Sequence, residues 1–78
     1  MKKPIIYTIT NCPWCMKVKR YLKSKGVEYE ERNIETNESY RKECETLSGD
    51  VAVPITTVNE KDYIFKFDRD AIDKMLNE

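Results

Sequence analysis

The chain is 78 residues long, and its 14 basic and 14 acidic residues cancel to a formal net charge of zero. That length allows one small domain over residues 1–78, hiding only about 60–65% of its unfolded surface, and the charge balance argues against nucleic acid as the main partner. No apolar run reaches membrane-spanning length and the amino end carries no signal-peptide pattern, so a cytoplasmic protein without a membrane partner is expected. Two of the three cysteines stand as Cys12-Pro13-Trp14-Cys15 and histidine is absent, a usage that suits redox chemistry better than a disulfide scaffold.

Residues 4–9 are predicted to form a strand whose unbroken apolar character suits burial on both faces. Residues 13–25 read as a helix with Cys15, Val18 and Leu22 inward, Trp14 and Tyr21 on its flank, and Gly26 as its stop. Met16 and Lys19 stand four and seven places after Cys12 and should share its exposed side. A second strand is expected over 27–34, where Val27 and Tyr29 alternate with Glu28 and Glu30 and the acids form a solvated face. Thr36 or Asn37 then caps a helix of about a dozen residues that turns Tyr40, Cys44 and Leu47 inward and ends at Gly49. Cys44 reads as a small core residue. Residues 50–53 form a loop closed by Val53-Pro54, and 55–58 form a third strand. Asn59-Glu60-Lys61-Asp62 is a turn, so a fourth strand over 63–67 runs antiparallel to the third. Asp68 or Arg69 opens a last helix to about Leu76, with Ala71, Ile72, Met75 and Leu76 inward. The predicted order is β-α-β-α-β-β-α.

If Cys12 is the N-cap of the first helix, Pro13 takes the first helical position, where its missing N–H costs nothing. The Cys12 sulfur then accepts hydrogen bonds from the free N–H groups of Trp14 and Cys15. Those donors and the positive helix end favour a thiolate. Cys15 follows one turn later, near enough for a Cys12–Cys15 disulfide. Cys12 is thus expected as an exposed nucleophile and Cys15 as a buried resolving thiol. Trp14, wedged between them, is assigned to a contact platform for substrate. Zinc usually takes four Cys or His ligands and only Cys44 remains to join the pair, so no metal site is expected. Lys17, Lys19 and Arg20 gather after the cysteines while Glu28, Glu30, Glu31 and Glu35 lie beyond, so the positive side should be near the active end.

Tyr7-Thr8 leads into Cys12-Pro13-Trp14-Cys15, Lys25-Gly26-Val27 follows the first helix, and Val53-Pro54 comes about forty residues after the cysteines. On these residues and the element order the chain resembles a glutaredoxin over nearly its whole length. The resemblance implies an α/β, thioredoxin-like fold with a four-stranded mixed sheet flanked by three helices. It implies a thiol–disulfide oxidoreductase that reduces disulfide-containing or glutathionylated proteins through Cys12 and Cys15, as a monomer with no bound cofactor. It further implies a cis Pro54 lying against the cysteine pair, with Val53 turned outward so that its backbone pairs with an extended thiol substrate. Asp68 would then meet a substrate amino group.

Ile9 stands where glutathione-holding members usually carry Lys, Ala52 where Thr precedes Val-Pro, and Phe65-Lys66 where Gly-Gly is usual. Poor turnover with glutathione is therefore expected. Residues 67–72 are faintly similar to the NrdH-redoxins, which take electrons from thioredoxin reductase, although those enclose Val-Gln between their cysteines. Glutathione and thioredoxin reductase both stand as electron sources. Two other classes remain open. One is an iron–sulfur or metal carrier using Cys12 as ligand, and the other a redox-sensing adaptor whose partner surface changes with the disulfide.

Overall fold

The protein is described here by a computed structural model covering residues 3–59 and 61–77, so Glu60 of the expected turn lies outside the described residues. The elements run β1 (Ile5–Thr8), α1 (Pro13–Ser24), β2 (Glu30–Asn33), α2 (Glu38–Ser48), β3 (Ile55–Thr57), β4 (Ile64–Phe65) and α3 (Arg69–Leu76). The strands form one four-stranded sheet in the order β2-β1-β3-β4. β1 pairs parallel to β2 and antiparallel to β3, and β3 pairs antiparallel to β4. This is the mixed thioredoxin-like sheet with three helices that the resemblance implies, in the element order the sequence predicts. No helix among the described residues is long and apolar enough to cross a membrane.

β1 is interior to the sheet, which explains its apolar run. Successive strand residues point to opposite faces. Ile6 packs with Val18, Leu22, Ile64, Ile72 and Met75 on the α1 and α3 side. Tyr7 packs with Ile34, Cys44 and Ile55 on the α2 side. The helices therefore cover both faces, and cutting the fully buried Leu22 back to Ala should cost about 2–5 kcal/mol.

The helix ends obey local rules. Gly26, at φ 70°, follows the Lys25 cap, with Gly26 N–H donating to the Lys23 carbonyl and Val27 N–H to that of Leu22, each at 3.0 Å. This is the paired bonding of a Schellman stop. Asn37 rather than Thr36 caps α2, its side-chain oxygen accepting from Tyr40 N–H at 3.2 Å, and Gly49 ends it in the left-handed region at φ 80°. In the turn after β3, the Asn59 side-chain oxygen accepts from the amides of Lys61 and Asp62, both at 2.9 Å.

All four strands are shorter than their sequence patterns suggest, β1 keeping Ile5–Thr8 of residues 4–9. β2 joins the ladder only from Glu30, because β1 begins pairing at Ile5, just after Pro4. Val27 and Tyr29 instead pack on the α1–α3 cluster. β3 stops at Thr57 rather than Val58. β4 ends at Phe65 because Lys66 turns left-handed, at φ 60°. Nor are the acids of β2 merely a wet face. Glu30 pairs with Arg32, whose guanidinium also donates to Glu43 at 2.6 Å and to the Tyr7 hydroxyl at 3.2 Å. That guanidinium lies 5.8 Å from the Tyr7 ring and 5.6 Å from the Tyr40 ring. One cation thus ties β1, β2 and α2 together.

Candidate active site

The strand directions bring four connections to one end of the sheet. The C-terminal ends of β1, β2 and β4 meet the N-terminal end of β3 there. Residues 9–11, the stretch after Asn33, residues 51–54 and residues 66–68 are therefore neighbours. Lys66 N–H donates to the Pro54 carbonyl at 2.9 Å, and the Asn33 amide donates to the Thr10 hydroxyl at 3.4 Å. Asn11 and Lys66, at φ 59° and 60°, are non-glycine residues in the left-handed region, and both lie at this end. Asn tolerates that conformation well, whereas for Lys it costs on the order of 1 kcal/mol.

Asn11 swings the chain off β1 into Cys12, whose extended backbone (φ −101°, ψ 109°) makes it the N-cap of α1 with Pro13 directly after it. The Cys12 carbonyl accepts the first helical bond from Met16 N–H at 3.0 Å. Its sulfur accepts from Cys15 N–H at 3.2 Å. Two expectations change in detail. The capping donor is the Cys15 amide, without that of Trp14. Cys12 is also mostly covered, at 9% exposure, because capping folds its sulfur back over the first turn. The order of access survives, since Cys15 is only 1% exposed.

Burial pushes the Cys15 thiol up to about 12, and its hydrogen bond with the Cys12 side chain adds to the rise, opposed by the Ile9 backbone and Lys19. The Lys19 ammonium pairs with Glu31 at 3.0 Å, and the same carboxylate accepts from the fully buried Thr8 hydroxyl at 2.8 Å. Burial alone would raise the Glu31 carboxyl, but the Lys19 ammonium and the Thr8 hydroxyl bring it below its ordinary value. This Thr8–Glu31–Lys19 chain joins three elements far apart in sequence, and no short-range signal announces it.

Trp14 is 45% exposed, with Lys17 Nζ 4.6 Å from its ring centroid. The Val53–Pro54 peptide is cis, Pro54 is fully buried and Val53 is half-buried. Among the described residues, no hydrogen bond engages the Val53 N–H or C=O. Asp68 caps α3, its carboxylate accepting from Ala71 N–H at 3.1 Å. It lines a shallow cleft of about 530 Å3 with Phe65, Lys66, Phe67, Arg69 and Asp70. The fold thus brings Cys12 and Cys15 into contact and places Val53, Pro54 and Asp68 at the same sheet end. Cys44 belongs elsewhere, fully buried in the cluster under α2, with its thiol directed at the Asp50 and Ala52 carbonyls at 3.8 and 3.9 Å. Burial raises its pKa.

A glutaredoxin family model matches residues 5–63. The chain is similar to an uncharacterised glutaredoxin-like 8.6 kDa protein of the rubredoxin operon in Clostridium pasteurianum. The two are 35% identical over 71 residues, which take in 91% of this chain and 93% of that protein. Glutaredoxin 3 of Escherichia coli K12 is 43% identical over 49 residues, 63% of this chain and 59% of that protein. The crystal structure of a glutaredoxin from Methanosarcina mazei superposes with a TM-score of 0.87 at 26% identity, covering 99% of this chain and 80% of that one. With a family match that spans most of the sequence and a fold shared almost end to end, the chain belongs to the glutaredoxin family.

Proposed function

We propose that the protein is a dithiol oxidoreductase that reduces protein disulfides or glutathione mixed disulfides through Cys12 and Cys15. Cys12, as thiolate, attacks one sulfur of the substrate disulfide, forming a mixed disulfide and expelling the other sulfur as a thiolate that takes up a proton. Cys15 then loses its proton and attacks the Cys12 sulfur. The second substrate thiol leaves, and a Cys12–Cys15 disulfide remains. Two electrons pass from the dithiol to the substrate. An outside reductant returns them, and no bound cofactor enters the cycle.

The observation that carries this reading is the Cys12 sulfur held on a helix-start amide, one turn from a buried Cys15 thiol. In this reading the unengaged Val53 backbone pairs with an extended substrate as an added strand. Pro54 shields the sulfurs, Trp14 offers a contact surface, and Asp68 meets a substrate amino group. Ile9, Ala52 and Phe65-Lys66 favour thioredoxin reductase over glutathione as the electron source. Insulin reduction, run in parallel with glutathione plus its reductase and with thioredoxin reductase, tests the reading. Turnover is expected, faster with thioredoxin reductase. Absence of turnover with both would overturn the activity, and brisk glutathione turnover would overturn the choice of donor.

A further inference from the structure

Residues 12–27 contain Lys17, Lys19, Arg20, Lys23 and Lys25 and no acid, so the rest of this neutral chain carries five more acids than bases. Two of those cations are neutralised, Lys19 by Glu31 at 3.0 Å and Lys25 by Asp73 at 2.8 Å. Lys17 lies over Trp14. Arg20 and Lys23 have no carboxylate partner among the described residues. They stand four and seven places after Met16, and Met16 stands four after Cys12, so one stripe of the helix starts at the candidate nucleophile and becomes cationic. Along it runs a groove of about 280 Å3 lined by Met16, Lys19, Arg20, Lys23 and Tyr29. Met16 is 52% exposed, an apolar side chain open to solvent beside the site.

We propose that this exposed face of α1 is the docking surface for an acidic segment flanking the cysteine of the disulfide-bearing protein partner. The inference rests on the oxidoreductase reading for its choice of partner. Apolar Met16 and Tyr29 suit peptide side chains, and Arg20 and Lys23 supply the charge that an acidic segment complements. The unpaired cations of the stripe also attract an acidic segment during approach. A nucleic acid fits less well, because a polyanion would meet the surplus acids on the rest of the surface. At a rise of about 1.5 Å per residue, Arg20 and Lys23 lie about 12 and 16 Å along the helix from Cys12. An extended peptide, at about 3.3 Å per residue, reaches them about four and five residues from its cysteine.

The test uses the whole protein and two peptides, each with its cysteine in a mixed disulfide with 2-mercaptoethanol. One carries Asp and Glu four and five residues from the cysteine, and the other carries Asn and Gln. At low salt the acidic peptide should be reduced with about tenfold higher kcat/KM. That gap should close as salt is raised and should vanish in Arg20→Gln/Lys23→Gln. In parallel, a serine version of each peptide, with no disulfide, is titrated into labelled protein while backbone amide NMR shifts are followed. The acidic one alone should move the amides around Met16, Arg20 and Lys23. Equal rates with no such shifts, or a gap that persists in the double variant, would overturn the docking surface while leaving the redox reading intact. If neither disulfide is reduced, the redox reading falls and the shift map by itself decides whether the surface binds acidic peptide. Tighter binding of oligo-dT than of the acidic peptide, lost in the double variant, would reassign the stripe to nucleic acid and overturn the proposal.

Discussion

The amide of Cys15 donates to the sulfur of Cys12 across 3.2 Å, while burial drives the Cys15 thiol itself up to about 12. One helical turn therefore gives two chemically identical side chains different surroundings. The first sulfur caps an unpaired helical donor at the edge of solvent, and the second is packed against the sheet.

Because Cys15 acts only in the second step of the proposed cycle, Cys15→Ser should accumulate mixed disulfides with protein substrates. Intact-protein mass spectrometry after mixing with an oxidised substrate should show the adduct on Cys12. Cys12→Ser should form no adduct and reduce no disulfide, and residual insulin reduction by that variant would contradict the assignment.

The raised Cys15 pKa has a definite sign in stability. Its thiol ionises near 9.0 in an ordinary setting but near 12 here, so the folded state holds a proton that the unfolded chain releases between those values. The contribution is complete below about pH 9 and is lost as pH rises toward about 12, with a slope of up to about 1.4 kcal/mol per pH unit. Tyr7, pushed up to about 12 by burial, adds loss of the same sign at the alkaline end. Urea denaturation of the reduced protein across this range should show the decline, and Cys15→Ala should flatten it.

Lys66 holds a left-handed backbone at φ 60° where glycine is usual in the family, and its N–H is engaged by Pro54. Lys66→Gly should therefore raise stability by about 0.5–1 kcal/mol, through relief of strain partly offset by a more flexible unfolded chain. A thermal midpoint that falls would show that the lysine side chain contributes more than the backbone loses.

Asp68 has a capping role visible in the structure and a substrate role that is proposed. Asp68→Ala should lose about 1 kcal/mol by leaving the first turn of α3 without its cap. Asp68→Ser should restore most of that stability. If the carboxylate also meets a substrate amino group, the serine variant should keep a raised KM; a KM that recovers along with stability would leave Asp68 a cap only.

Arg32 is enclosed by Glu30, Glu43 and the rings of Tyr7 and Tyr40. Arg32→Met should destabilise by about 1–3 kcal/mol, since it strips charged partners from two carboxylates and the buried Tyr7 hydroxyl. Arg32→Lys should not restore the loss, because a single ammonium cannot reach three acceptors and stack on two rings. Chemical denaturation of the two variants side by side measures this.

The features legible in the sequence were those settled within a few residues. Pro13 after a capping Cys12 and Gly26 after Lys25 are stated locally, and the caps of the last two helices are narrowed to Thr36 or Asn37 and to Asp68 or Arg69, because each helix end is settled by groups a few residues away. The inward stripes of Val18–Leu22 and Ile72–Met75 follow from helical spacing alone. Tertiary structure decided what needed partners distant in sequence. Where each strand leaves the ladder depends on its neighbour, and whether Glu31 is wet or paired depends on Lys19 and Thr8. Arg32 gained its place from residues on three elements. How much of Cys12 reaches solvent was likewise set by the fold, because a sulfur drawn onto its own helix is covered by whatever the sheet end packs around it.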